Sequence, residues 1–129
     1  MIEPSFLTLA EVLRLHTMSL ERYGGMVGLR DSGALEAAVE QPKNTYLYGR
    51  GDLFDIAAAY AFRIAQAQAC IDGNKRTAVA AALMFLKVNR ITTIYDQWEI
   101  HRHMLAIAET RSGKVELAAL LRTAAVEGS

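Results

Sequence analysis

Asp72-Gly73-Asn74-Lys75-Arg76 gathers a carboxylate, a glycine, an amide and two cations into consecutive positions. The stretch that follows, to Leu86, is alanine-rich and apolar at helical spacing, which predicts a helix beginning near Asn74. A helix start carries roughly half a unit of positive charge and N–H groups without intrahelical partners. Acidic residues are favoured there, yet Lys75 and Arg76 occupy the first turn. Gly73 removes a side chain and opens the backbone to close approach. A positive helix end, two added cations and an exposed glycine turn suit an anion, most simply a phosphate. Asp72 is placed to hold a divalent ion that neutralises such a phosphate. The competing reading is a solvated helix start with two surface cations.

The flanking elements follow from capping and periodicity. Thr8-Leu9-Ala10-Glu11 has the reciprocal capping pattern of a helix start, and Leu9, Val12, Leu13, His16, Leu20 and Tyr23 share the face that follows. Gly24-Gly25 ends that helix. His16 on an apolar face reads as a hydrogen-bonded core or edge histidine rather than a metal ligand. Asp31 or Ser32 caps a short second helix running through Glu40, with Pro42 as its stop. Lys43 to Gly51 reads as a loop, extended at Thr45 to Tyr48. Its Tyr46 and Tyr48 are candidates for meeting a partner, against the plainer reading of a surface connection. Asp52 caps a third helix, apolar on more than one side through Phe54, Ala57, Ala58, Ala61, Phe62, Ile64 and Ala65, and so packed centrally. It ends around Gln68. The fourth helix runs to about Val88, with Asn89 as its cap.

Ile91 to Tyr95 is β-branched and extended, too short and isolated to imply a sheet. Asp96-Gln97-Trp98-Glu99 opens a fifth helix to about Glu109. Ser112-Gly113 breaks the chain before a last helix carrying Val115, Leu117, Leu120 and Leu121. His101 and His103, two residues apart, do not share a helix face, so both read as surface or edge residues and not as a metal pair. The expectation is an all-α, compact bundle of about six helices with at most a short extended piece, forming one domain over 1–129.

Bulk numbers narrow the function classes. At 129 residues the chain has the length of one ordinary domain, able to bury roughly two-thirds of its unfolded surface. Fourteen acidic residues balance fourteen basic ones, so no global field points to nucleic acid or anionic lipid. One cysteine excludes an internal disulfide and any multi-cysteine zinc site. Lys and Arg interrupt every long apolar stretch, and the N-terminus lacks a charged-then-apolar leader pattern. These features lead to the expectation of a soluble cytoplasmic protein with no direct nucleic-acid or membrane partner.

The segment Cys70 to Ala78 resembles the Fic/Doc family, and most closely its death-on-curing branch. The family motif runs His-x-Phe-x-Asp/Glu-Gly/Ala-Asn-Gly/Lys-Arg between two helices, and Asp72-Gly73-Asn74-Lys75-Arg76 matches its second half. Lys75 in place of glycine, Thr77-Ala78 after it, and Val79 where larger members carry a second arginine all fit the death-on-curing branch. The resemblance extends to Phe6-Leu7-Thr8, Gly28 to Gly33, Ala58 to Phe62, Ala82 to Leu86 and Asn89, which is nearly the whole chain.

The resemblance implies an ATP-using transferase acting on a protein hydroxyl. In the death-on-curing branch that is phosphoryl transfer to elongation factor Tu, by a toxin paired with a cognate antitoxin whose tail covers the site. It implies ATP and Mg²⁺ as cofactors, with Asp72 on the metal and Gly73 and Asn74 at phosphate or substrate. Lys75 and Arg76 then hold phosphates and stabilise developing charge. The family histidine falls on Gln68 and the family phenylalanine on Cys70. Glutamine cannot take a proton from an attacking hydroxyl, a step typically worth about 10²–10⁴-fold, though Gln68 can still orient that hydroxyl. Phosphoryl transfer leans mainly on positioning and electrostatics, which leaves room for residual activity. Two alternatives stay open: a degenerate nucleotide- or protein-binding module, and a transferase of AMP.

Overall fold

The computed structural model describes residues 3–49, 51–94, 97–108 and 113–125. Among these residues the chain forms seven α-helices and no named strand: α1 Leu9–Tyr23, α2 Ser32–Glu40, α3 Pro42–Leu47, α4 Leu53–Ala67, α5 Asn74–Val88, α6 Gln97–Ala108 and α7 Lys114–Ala124. The starts of α1, α2 and α4 are where the sequence predicts them. At α1 the Glu11 N–H donates to Thr8 Oγ1 at 3.2 Å while the Thr8 N–H donates to Glu11 Oε1 at 2.9 Å. Asp31 Oδ1 accepts from the Ala34 N–H at 3.0 Å, capping α2. Asp52 Oδ1 accepts from both the Phe54 and Asp55 N–H groups at 3.0 Å, and Asp55 Oδ2 returns the favour to the Asp52 N–H at 2.8 Å.

One element differs from expectation. The Lys43 to Gly51 stretch is not a loop with an extended Thr45 to Tyr48; most of it is α3, and Pro42 opens that helix instead of only stopping α2. Gln41 keeps helical dihedrals (φ −56°, ψ −39°), and a proline at the first helical position gives up an N–H that would have no intrahelical partner anyway. Tyr46 is half-buried with its ring edge-on to Phe6 at 5.8 Å, whereas Tyr48 is exposed.

The long α4 is the hub. It packs against α2, α3, α5, α6 and α7, while α1 covers α5. Ile56, Ala57, Ala58, Ala59, Tyr60, Ala61, Ile64 and Ala65 of α4 are all buried, the alanines letting neighbouring backbones come close. Tyr60 stacks at 5.2 Å on Phe85 of α5, and its hydroxyl accepts the Leu7 N–H at 2.9 Å. Burial pushes that hydroxyl up to about 12, so it stays protonated. Asn89, beyond the end of α5, ties down the N-terminal segment by bonding both the N–H and the C=O of Ser5.

The segment Ile91 to Tyr95, expected to be extended but too short for a sheet, makes an isolated bridge between Thr93 and Ala125, supported by the Ile94 N–H on the Ala124 carbonyl at 2.7 Å. Tyr95, Asp96, Glu109 and Ser112 lie outside the described residues, and so does the His101 side chain. His103 Nδ1 bonds the Glu99 carbonyl one turn back at 3.0 Å. No helix among the described residues is long and apolar enough to cross a membrane.

Candidate functional site

The turn between α4 and α5 is shaped by its own side chains before any ligand is considered. Gln68 ends α4 in the left-handed region (φ 45°, ψ 42°), which reverses the chain, and its side chain is exposed. Ala69 and Cys70 then dive into the core. Asn74 clamps the loop shut: its Oδ1 accepts the Cys70 N–H at 3.0 Å and its Nδ2 donates to the Cys70 carbonyl at 2.8 Å. Gly73 sits at φ +80° as the residue before α5, a conformation glycine adopts without penalty. A Cβ there would meet only ordinary contacts with His16 and Leu20 at 3.5 Å, so the dihedral and not crowding explains the glycine.

Gly73 supplies no capping side chain to α5, and the first helical bond back to it comes from the Thr77 N–H at 2.9 Å. The amides of Asn74, Lys75 and Arg76 are therefore left for an outside acceptor. Lys75 is half-buried and makes no hydrogen bond or ion pair among the described residues. Arg76 leans toward the end of α1, with its Nη2 donating to the Gly24 carbonyl at 3.2 Å and its guanidinium 5.2 Å from the Tyr23 ring centroid.

A strap from Gly24 to Asp31 runs along this turn. The Arg30 and Asp31 N–H groups donate to the Ala69 carbonyl at 2.6 and 3.1 Å, and the Ile71 N–H donates to Gly28 O at 3.2 Å. Leu29 and Cys70 thus form an antiparallel bridge. At the other end of the strap the Met26 N–H donates to Asp72 Oδ2 at 2.8 Å. Gly25 makes this approach possible: at φ +126°, a Cβ would lie 2.9 Å from Leu20 Cδ2 and 3.2 Å from Asp72 Cβ. From below, buried His16 of α1 places Nε2 2.8 Å from the Asp72 carbonyl, so that nitrogen carries the proton and donates.

All the residues singled out in the sequence from Gln68 to Arg76 fall on this one turn. His16 is the hydrogen-bonded core histidine the sequence suggested, but sequence reasoning missed its partner in the turn, the strap and the Tyr23 platform. The signal was present in the closely spaced glycines at 24, 25 and 28, each at positive φ, which read from sequence only as a helix end and a turn. Cys70 is fully buried and its thiol is pushed up by burial, which fits an apolar plug better than a nucleophile.

For a divalent ion the fit is partial and consistent. Asp72 offers one carboxylate, with Oδ2 on the Met26 amide and Oδ1 without a partner among the described residues. Magnesium typically takes one or two carboxylates and fills its shell with water and substrate phosphates.

The central turn of this helical bundle brings together an uncapped helix start, an arginine, one carboxylate and a lysine without a partner among the described residues, an arrangement able to hold an anion. Comparison with known proteins narrows this. The sequence model of the Fic/DOC family matches residues 6–86, and the chain belongs to that family. It is 35% identical over 91 residues to the protein kinase doc of Escherichia phage P1, covering 70% of this chain and 71% of that protein. It is 44% identical over 77 residues to the toxin Doc of Mycolicibacterium smegmatis, covering 57% of this chain and 58% of that protein. The chain is thus a Doc-like member of the family.

Proposed function

We propose that this protein is the toxin of a toxin–antitoxin pair, which holds ATP on the 72–76 turn and transfers a phosphoryl group to a protein hydroxyl. By family resemblance the target is elongation factor Tu, and the cognate antitoxin neutralises the toxin by covering the site. The observation that carries the reading is the start of α5, where among the described residues three adjacent amides lack partners and Lys75 stands beside them unpaired. Kinase and toxin are also the words that describe the two relatives.

In this reading Lys75, Arg76 and the open amides bind the phosphate oxygens and hold the charge that develops on them. Asp72 would hold Mg²⁺, which would supply neutralising charge at the phosphates. Asn74 keeps the turn in shape through Cys70. The hydroxyl oxygen bonds to the γ-phosphorus as the bond to the β–γ bridging oxygen breaks, and ADP leaves. Gln68 orients the hydroxyl without accepting its proton, which passes to water. The consequence is slow turnover, about 10²–10⁴-fold below that of a variant with a base at this position.

The test is incubation with elongation factor Tu, Mg²⁺ and ATP labelled at either the α or the γ phosphate, using the wild type and Gln68→His. Label from the γ position on the factor, faster with Gln68→His, is the expected result. Label from the α position instead assigns AMP transfer. No label with either protein removes the transferase reading. A second reading, a binding module without chemistry, is favoured by Gln68 and Cys70 standing at the family's histidine and phenylalanine. It predicts calorimetric ATP binding that weakens in Asp72→Ala and Arg76→Ala with no turnover.

A further inference from the structure

A second cleft lies away from the motif turn. It lies between α3, α4 and α7, encloses about 720 Å³, and shares no lining residue with the 68–76 turn. Asn44, Thr45 and Tyr48 form its α3 side, while Arg63 of α4 and Lys114 of α7 form the other side. That volume falls within the range of small-molecule sites.

The charges inside it are arranged unusually. Asp55, the acidic group on the lining, is already committed: its Oδ2 accepts from Arg122 Nη2 at 2.9 Å and from the Asp52 N–H at 2.8 Å. Among the described residues Arg63 and Lys114 have no carboxylate partner. Both lie against the same ring, Arg63 Cζ at 5.5 Å and Lys114 Nζ at 5.6 Å from the Phe62 centroid. Burial and the Arg63 charge both hold the Lys114 amine below its ordinary value. Two neighbouring cations that repel each other, partly removed from water and given no counter-charge among the described residues, are stabilised by an anion that meets both. The amide and hydroxyl groups of Asn44, Thr45 and Tyr48 add donors on the facing wall.

We propose that the cleft between α3, α4 and α7 binds a small ligand carrying a dianionic oxyanion group, held between Arg63 and Lys114. This site is separate from the motif turn and stands whether or not the transferase reading does. Two sources supply such a group, a phosphate monoester or a dicarboxylate.

The experiment uses the full chain carrying Lys75→Ala and Arg76→Ala, which weakens anion binding at the motif turn, with glycerol phosphate and malonate as probes. Binding is followed by the Lys114 Cε and Nζ resonances and by calorimetry. Saturable binding of either probe is expected, with the Lys114 amine titrating at higher pH in the complex. Adding Arg63→Gln or Lys114→Gln is expected to weaken that binding about fivefold to tenfold while the circular dichroism spectrum is unchanged. Saturation by glycerol phosphate alone assigns a phosphate ester, and by malonate alone a dicarboxylate. Absence of saturation with both probes, or affinities indifferent to both substitutions, overturns the proposal.

Discussion

Replacing Asn74 with alanine tests whether the motif turn is preshaped by the protein or waits for its ligand. The substitution removes hydrogen bonds of 3.0 and 2.8 Å and strips the backbone N–H and C=O of Cys70 of their partners. Cys70 is fully buried, so water does not replace them. Leaving such a group unsatisfied costs about 1–3 kcal/mol. Alanine's better helix propensity returns roughly 0.5 kcal/mol. For the two groups together the net loss is about 1.5–5.5 kcal/mol, which corresponds to a fall in Tm of roughly 5–20 °C for a domain of this size. Asn74→Asp keeps an acceptor for the Cys70 N–H but loses the donor to its carbonyl, and belongs between wild type and alanine. Thermal unfolding by circular dichroism reads both. A fall of less than about 2 °C for Asn74→Ala would refute the clamp, because a loss that small does not accommodate two orphaned groups in the core.

The other predictions concern backbone, core and pH. Gln68→Gly relieves a left-handed φ of 45° and should raise the denaturant midpoint by the equivalent of about 0.5–1 kcal/mol; no gain would mean that the helix ends differently in solution. Thr77 is fully buried and its hydroxyl has no partner among the described residues, so Thr77→Val should stabilise by up to about 1 kcal/mol, and destabilisation in urea titrations would reveal a hidden partner. Tyr60 has a folded pKa of about 12 against an ordinary 10.0. Its contribution to stability is complete below pH 10 and disappears as pH rises through about 12. Tyr60→Phe should flatten that decline in denaturation curves taken at successive pH values, and an unchanged slope would discard the assignment.

Much of the bundle was legible because capping chemistry and apolar spacing are local. Thr8 with Glu11, Asp31 and Asp52 each bond amides within the next three residues, so the sequence alone marks where α1, α2 and α4 begin. The alanines of α4 announce a crowded helix before any neighbour is known. The α3 helix was missed because Asn, Thr and Tyr have weak helix propensity; packing on α4 and the proline start override it. The motif turn was visible as a cluster of residue types. What holds it was not: His16, Tyr23 and Met26 are 56, 53 and 46 residues from their partners Asp72, Arg76 and Asp72, and no local pattern encodes such contacts.

The short bond from the Met26 amide to Asp72 has a practical corollary. That hydrogen is shielded from solvent deuterium only while the carboxylate oxygen remains its acceptor. A cation that claims the same oxygen releases it, and one that settles for the opposite oxygen leaves it protected. A single backbone proton on an otherwise exposed segment therefore reports which oxygen of Asp72 a metal uses, with no chromophore, label or turnover required.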